Sequence, residues 1–332
     1  MKLLVFVISI SIIVLFLGDA NGEVFGNTRK LIEKANSNGP YLGVVIPNLF
    51  EMNPLLNYPE YKATNLVIDI GGRRFRFGSI GEKQVILVMT GLGMLNAGVT
   101  TQLLLSLFDI EGVVHYGIAG NANPSLNIGD RYGNGPENEL PLEAFGDYTR
   151  DLGYLKIANY STDLGTDNFL NNIWYQPEEI FPVDGTPEER QHAFWVPVDP
   201  TYFELAKNLE ALTLEGCLDA DTCLSTPPKV TTVEHGTSAS IYLDNAAYRS
   251  FIYDKFNISP VEMESAAVAL ISYQQRVPFI VFRALSDLAG GGEHSNEADT
   301  FTPLAANNSV KVAVEFIKLI PIQNKISSVV GI

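Results

Sequence analysis

Short apolar runs recur along this chain and alternate with longer stretches of helical periodicity, a texture that leaves few architectures open. Residues 41–47, YLGVVIP, read as a buried strand stopped by its proline. Residues 66–69, 73–80 and 85–90 follow as strands, the last two joined by Gly81-Glu82 in a hairpin. Residues 94–108 carry apolar side chains around most of a helical circumference and predict a mostly buried helix. A strand over 112–117 then runs into Gly117-Ile118-Ala119-Gly120, whose small residues let a ligand or another backbone come close. Region 121–200 is irregular, rich in Gly, Pro, Asn and acids. Order returns with a helix over 202–212, strands at 229–234 and 261–263, a helix over 265–275, a strand over 278–285 and a last helix over 303–319. The alternation predicts an α/β fold, one domain with a twisted mixed β-sheet flanked by helices.

The ends and the composition bound the rest. Residues 3–17 are apolar except for two serines, and fifteen residues span roughly 22 Å, short of the ~30 Å of bilayer hydrocarbon. With the small and polar run Gly18-Asp19-Ala20-Asn21-Gly22 behind them, they predict a signal peptide over 1–22, cut near Ala20 or Gly22. The remaining domain, 23–332, is then expected in the secretory pathway, in a vacuole or outside the cell, with no membrane contact after cleavage. Of 332 residues 46% are hydrophobic and 18% charged, enough to bury a full core. Twenty-two Lys and Arg against 38 Asp and Glu leave a formal charge of −16, which repels phosphate backbones and argues against nucleic acid as a partner. The two cysteines, Cys217 and Cys223, exclude a disulfide-dense scaffold, and in an oxidising lumen predict a short-range bridge, with two free thiols as the alternative. Asn159 and Asn307 stand in glycosylation sequons, whereas Pro260 makes Asn257 a poor acceptor. His115, His192, His235 and His294 show no metal-ligand spacing, so neither a metal nor a cofactor is expected.

Glu51, Glu264 and Asp287 fall just beyond the ends of strands, where open α/β sheets bind ligands. Carboxyls gathered in a partly apolar crevice can have their pKa values pushed apart and so divide acid and base roles. Each, taken singly, also suits a helix cap or first turn. Gly91 and Gly93 open a helix after a strand, but the third glycine of a dinucleotide fingerprint and a P-loop lysine are missing. No Gly-x-Ser-x-Gly elbow occurs.

Val261-Glu262-Met263-Glu264-Ser265-Ala266-Ala267, followed by Val277-Pro278-Phe279-Ile280-Val281-Phe282-Arg283-Ala284-Leu285-Ser286-Asp287, resembles the paired signature of the nucleoside phosphorylase and methylthioadenosine/S-adenosylhomocysteine nucleosidase superfamily. Gly117-Ile118-Ala119-Gly120 with Leu126-Asn127-Ile128-Gly129-Asp130 is similar to its Gly-x-Ala-Gly and Gly-Asp element. The likeness runs from about Tyr41 to Leu319 and is nearest the plant branch of bark storage or wound-inducible storage proteins. It implies cleavage of a ribose–purine bond. Asp287 would protonate the purine at N7 with Ser286 beside it, Glu264 would bind ribose hydroxyls, Met263 would pack on the sugar, and Glu51 would orient the attacking water. Gly117 would let substrate approach, and Ser240 stands where nucleosidases stack an aromatic on the base. Gly91, Gly93 and His115 fall at phosphate-contacting positions, yet His115 and Ile118 replace the Arg and Ser that phosphorylases use there. A neutral imidazole lacks the charged fork of a guanidinium, so water is expected before phosphate, which remains the candidate co-substrate. Against that superfamily's pattern, about 15–20 residues are missing after Asp130. These departures, with 25 asparagines, predict a storage-type protein with reduced nucleosidase activity. The alternative is an active purine nucleoside N-ribohydrolase or phosphorylase. A purine nucleoside is the expected small-molecule ligand, and homo-oligomer formation is left open.

Overall fold

The computed structural model describes residues 26–126, 131–132, 154–155, 173–174, 178–185, 191–291 and 297–322. The expected signal peptide, the Asn159 sequon and Gly129-Asp130, with most of the stretch that follows, lie outside them.

Nine strands among the described residues form one mixed sheet. They are β1 (Tyr41–Ile46), β2 (Tyr61–Ile70), β3 (Arg73–Ile80), β4 (Lys83–Met89), β5 (Ile110–Asn121), β6 (Arg131–Tyr132), β11 (His235–Ser238), β12 (Ile258–Glu262) and β13 (Phe279–Leu288). Two antiparallel pairs stand apart, β7 (Tyr154–Leu155) with β8 (Ile173–Trp174) and β9 (Glu178–Ile180) with β10 (Gln191–Ala193). The order β11-β12-β5-β1-β4-β3-β2 places β5 centrally. It pairs in parallel with β1 and β13, and at Gly120 and Asn121 it pairs antiparallel with β12. Strands β2, β3 and β4 form an antiparallel meander.

Residues 26–36 form helix α1. The others are α2 (Leu49–Leu56), α3 (Met94–Leu107), α4 (Pro200–Ala206), α5 (Ala246–Phe256), α6 (Ser265–Gln274) and α7 (Ala298–Leu319). Strand side chains alternate between two cores, as the period of two requires. Leu42, Val44, Val114, Tyr116, Ile280 and Phe282 pack with α7 through Val310, Val314 and Phe316. Val45, Val113, Phe279 and Val281 pack on the other side with α3 and α6 through Ala97, Leu104, Val268 and Ala269. Because both faces are covered, β1 is buried along its whole length and reads as an apolar run.

Several expectations need correction. The strand expected at 229–234 lies instead at His235–Ser238, because only those residues reach the β12 ladder. Val230 packs in one core cluster and the half-buried Val233 against another, each making a β-bridge rather than a strand. The helix expected over 202–212 is α4 followed by a 3₁₀ turn at Lys207–Leu209, and the last helix begins at Ala298, five residues before Pro303. That proline removes one backbone bond near the helix start rather than preventing the helix. Three helices were not anticipated: α1 over 26–36, α2, which contains Pro54, and α5, which is too polar to show a stripe. Cys217 and Cys223 form a disulfide, and among the described residues no cysteine is free. Asn307 is exposed on α7.

Candidate functional site

The site begins where β1 ends. Asn48 caps α2, accepting from the Glu51 N–H at 3.3 Å, while Glu51 Oε2 accepts from the Asn48 N–H at 3.2 Å, a reciprocal capping box. Glu51 is therefore a first-turn acid, but its second oxygen is used elsewhere: Oε1 accepts the Ile118 N–H at 2.7 Å. The side chain is 1% exposed. Burial pushes its carboxyl from the usual 4.5 up to about 7, against the opposing pull of Arg283 and the Ile118 N–H.

Arg283 is the hub, a fully buried cation within the apolar β13 run. Buried charge is tolerated only when paired and hydrogen-bonded, and nearly every donor of its fork is placed. Nε donates to Ser265 Oγ at 3.0 Å and Nη1 to the Ile118 carbonyl at 3.1 Å. Nη2 donates to Glu262 Oε2 and to His115 Nε2, both at 2.5 Å. Two further carboxylates stand just beyond bonding distance, Glu51 Oε1 at 3.9 Å from Nη1 and Glu264 Oε2 at 3.5 Å from Nη2. One cation thus serves three buried glutamates. Glu262 is itself fully committed: Oε2 accepts the N–H groups of Glu264 and Ser265 at 2.9 and 2.8 Å, and Oε1 accepts from Ser238 Oγ. It anchors β11 and the start of α6 to β13.

Gly117 is required for this approach. A Cβ there would collide with Glu51 Oε1 and Arg283 Nη1. Gly117→Ala is expected to lower stability by about 3 kcal/mol through overpacking and loss of the ion contact, measured as urea unfolding at pH 7.

Glu264 lies at the N-cap of α6, where its Oε1 accepts the Gly93 N–H at 2.8 Å. Burial raises its carboxyl pKa; Arg283 opposes the shift, while Glu262 reinforces it. Ser240 is exposed and its Oγ accepts the Met94 N–H at 3.2 Å, so it serves the start of α3. Met263 is half-buried between the two glutamates. Ser286 and Asp287 are buried one step further along the same backbone: Ser286 Oγ is 2.7 Å from Asp287 Oδ1 and 3.3 Å from the Ala119 carbonyl, and Asp287 pairs in register with Gly120. Residues 118–120 therefore meet Glu51, Arg283, Ser286 and Asp287 in turn, while Glu264 is tied to Gly93.

The expected phosphate contacts are placed differently. His115 is fully buried, with Nδ1 2.8 Å from the Val45 carbonyl and Nε2 at Arg283. A carbonyl only accepts and a guanidinium only donates, so Nδ1 carries the hydrogen and the ring is neutral. Burial and the Arg283 charge hold its pKa well below the usual value. Neither ring nitrogen is left for an anion. The Gly91 N–H donates to the Pro47 carbonyl at 2.9 Å and the Gly93 N–H to Glu264, so those donors are also taken. Among the described residues no group of three or more His, Cys, Asp or Glu side chains is placed to hold a metal ion.

Sequence reasoning passed over Arg283 and Glu262. An arginine inside Phe-Ile-Val-Phe-Arg-Ala-Leu was the available signal, because such a charge must have a buried partner.

The raised Glu51 carboxyl sets a pH dependence. A folded-state pKa above the unfolded value means that the folded protein holds the proton more tightly. Its stabilisation is complete below about pH 4.5 and is lost as pH rises to about 7, roughly 3 kcal/mol in all. Glu51→Gln is expected to flatten this slope and to be about 1–2 kcal/mol more stable than the parent at pH 8, the lost Asn48 contact offsetting part of the gain. Urea unfolding at pH 5 and pH 8 measures it.

The sequence profile of the phosphorylase superfamily matches residues 41–131 and 156–318. The chain belongs to that superfamily. Among its relatives, bark storage protein B of Populus deltoides is 28% identical over 256 residues, 76% of this chain and 80% of the relative. A 5'-methylthioadenosine/S-adenosylhomocysteine nucleosidase of Bacillus licheniformis is 29% identical over 254 residues, 76% of this chain and 88% of the relative. Similar solved structures include the futalosine hydrolase of Helicobacter pylori, with TM-score 0.57 and 19% identity over 84% of this chain and 98% of that one. Another is the nucleosidase of Colwellia psychrerythraea in complex with adenine, with TM-score 0.57 and 21% identity over 84% of this chain and 95% of that one. At these identities the structures establish the superfamily's fold, a mixed sheet flanked by helices, and the sequence relatives divide between storage proteins and nucleosidases.

Proposed function

We propose that this superfamily member hydrolyses the N-glycosidic bond of a purine nucleoside. The observation that carries the reading is the buried cluster around Arg283, in which burial lifts the Glu51 pKa to about 7 against the pull of the cation, with Glu264 beside it and Ser286-Asp287 three and four residues beyond Arg283 on the same strand. Water held by Glu51 attacks C1' of the sugar and passes a proton to that carboxylate. The C1'–N9 bond breaks with its electrons going to the base, and Asp287 delivers a proton to N7. Glu264 accepts hydrogen bonds from the ribose hydroxyls, which tighten as the sugar gains oxocarbenium character. Ser286 supports the acid form of Asp287: its hydroxyl has one proton for two neighbouring oxygens, so a protonated Asp287 donates to Ser286 Oγ while the hydroxyl turns to the Ala119 carbonyl. Water is favoured over phosphate because His115 is neutral and the N–H groups of Gly91 and Gly93 have partners.

A nitrogen-storage role in the secretory pathway, with 1–22 removed and Asn307 glycosylated, is the second reading. The likeness to bark storage proteins and the 25 asparagines favour it. The purified mature chain incubated with adenosine, inosine or 5'-methylthioadenosine is expected to release free base equally with and without phosphate. No release at high protein concentration would leave storage alone, and release that depends on phosphate would overturn the assignment of water.

A further inference from the structure

The pair formed by His115 and Arg283 has a consequence for the neighbouring acids, and the inference rests on the hydrolytic reading of the site. We propose that His115 is a positioning residue that draws the Arg283 guanidinium away from Glu51 and Glu264, so that the cation does not clamp the lone pairs those carboxyls would offer to water and sugar. His115 is fixed from two sides, by the Val45 carbonyl on β1 and by Arg283 on β13, so its Nε2 lone pair sits at a defined place. The Arg283 Nη2 group splits its two hydrogens between His115 and Glu262, and in that pose it stays 3.5 Å from Glu264 Oε2, while Nη1 stays 3.9 Å from Glu51 Oε1. Glu262 cannot fill the place of His115, because its oxygens already serve Ser238 and the N–H groups of Glu264 and Ser265. A guanidinium deprived of the imidazole acceptor has two further carboxylates, Glu51 at 3.9 Å and Glu264 at 3.5 Å, within a small rotation. It turns to them and closes charge-assisted bonds of ordinary length. Each carboxylate so clamped loses proton affinity and lone pairs. A charged imidazole would act in the same direction, since it offers Arg283 an N–H in place of a lone pair. The charged groups gathered around the pair are Arg283 itself, Glu51 from α2, Glu262 from β12 and Glu264 at the start of α6.

Asn and Gln separate the two bonds of His115. His115→Asn keeps an amide at the Val45 carbonyl but is too short to reach Arg283, and His115→Gln carries an oxygen to about the place of Nε2. The protonation of Glu51 is followed by difference infrared spectroscopy of the carboxyl C=O band between pH 5 and 8, the band being assigned by its loss in Glu51→Gln. The midpoint in His115→Asn is expected about one pH unit below the parent and that in His115→Gln at the parent value. The acid limb of base release should move with it, with kcat reduced about tenfold at pH 8 and KM little changed in the Asn variant only. An Asn variant that titrates like the parent overturns the proposal, as does a Gln variant that titrates like Asn. If the parent itself releases no base, the hydrolytic reading fails, while the infrared midpoints still decide what His115 does to Arg283.

Discussion

Replacing Arg283 by methionine is expected to lower the unfolding free energy at pH 7 by about 3–5 kcal/mol, the cost of removing one partner from a buried ion pair. The loss is large because Glu262, Glu51 and Glu264 all sit within 3.9 Å of that one guanidinium, and all are buried. Methionine fills the space and supplies no donor, so at neutral pH the variant must either keep uncompensated charge in a dry interior or bind protons. The deficit should shrink at pH 5, because Glu51 and Glu264 already lean toward the protonated form in the parent and lean further without the cation. Adding Glu262→Gln should recover part of the loss, since an amide oxygen still accepts the N–H groups of Glu264 and Ser265. Urea unfolding of the single and double variants at both pH values measures the effect. A single variant as stable as the parent at pH 7 would mean that the cluster does not hold the sheet together.

Asp287→Asn should leave the fold near the parent's stability and lower base release by about 10²–10⁴-fold, the usual worth of a positioned acid. Asparagine keeps an oxygen that can accept from Ser286 Oγ, so the local contact survives while the transferable proton does not. The loss should fall on kcat, with KM changed little, because the ribose contacts assigned to Glu264 are untouched. A riboside whose leaving group departs as a stable anion needs no proton and should be cleaved by the variant and the parent at similar rates. Equal impairment on both kinds of substrate would show that Asp287 does not act as the acid.

Much of this fold was legible because each central strand is covered on both faces. The runs at 41–47 and 278–285 carry their burial in the sequence itself, and Gly81-Glu82 marks the hairpin between β3 and β4 without ambiguity. Helices α3 and α6 lie where the apolar pattern puts them, at Met94–Leu107 and Ser265–Gln274. The failures have separate physical causes. Helix α2 is held by the Asn48–Glu51 capping box and by the Tyr116 hydroxyl, which donates to the Glu51 carbonyl at 3.0 Å; neither contact shows in a periodicity broken by Pro54. Helix α5 lies on the surface with Ile252 as its one buried residue, and its ends are set by Asn245 and by Asn257 in the left-handed region, capping signals with no stripe behind them. In the site, Glu51 and Glu264 could be named from their places after strands; Asp287, expected just past a strand ending at Leu285, lies inside β13, which pairs with β5 as far as Leu288. Arg283 and Glu262 sit inside strands, and what they do depends on which strands become neighbours.

The cluster that would carry chemistry is also the keystone of the sheet, joining α2, β5, β11, β12, β13 and α6 through a handful of polar atoms. Loss of Arg283 alone would cost the fold as well as any turnover, so selection for a stable protein would tend to keep the cation even where turnover no longer mattered. Decay would be written first in weakly anchored places such as the exposed Ser240.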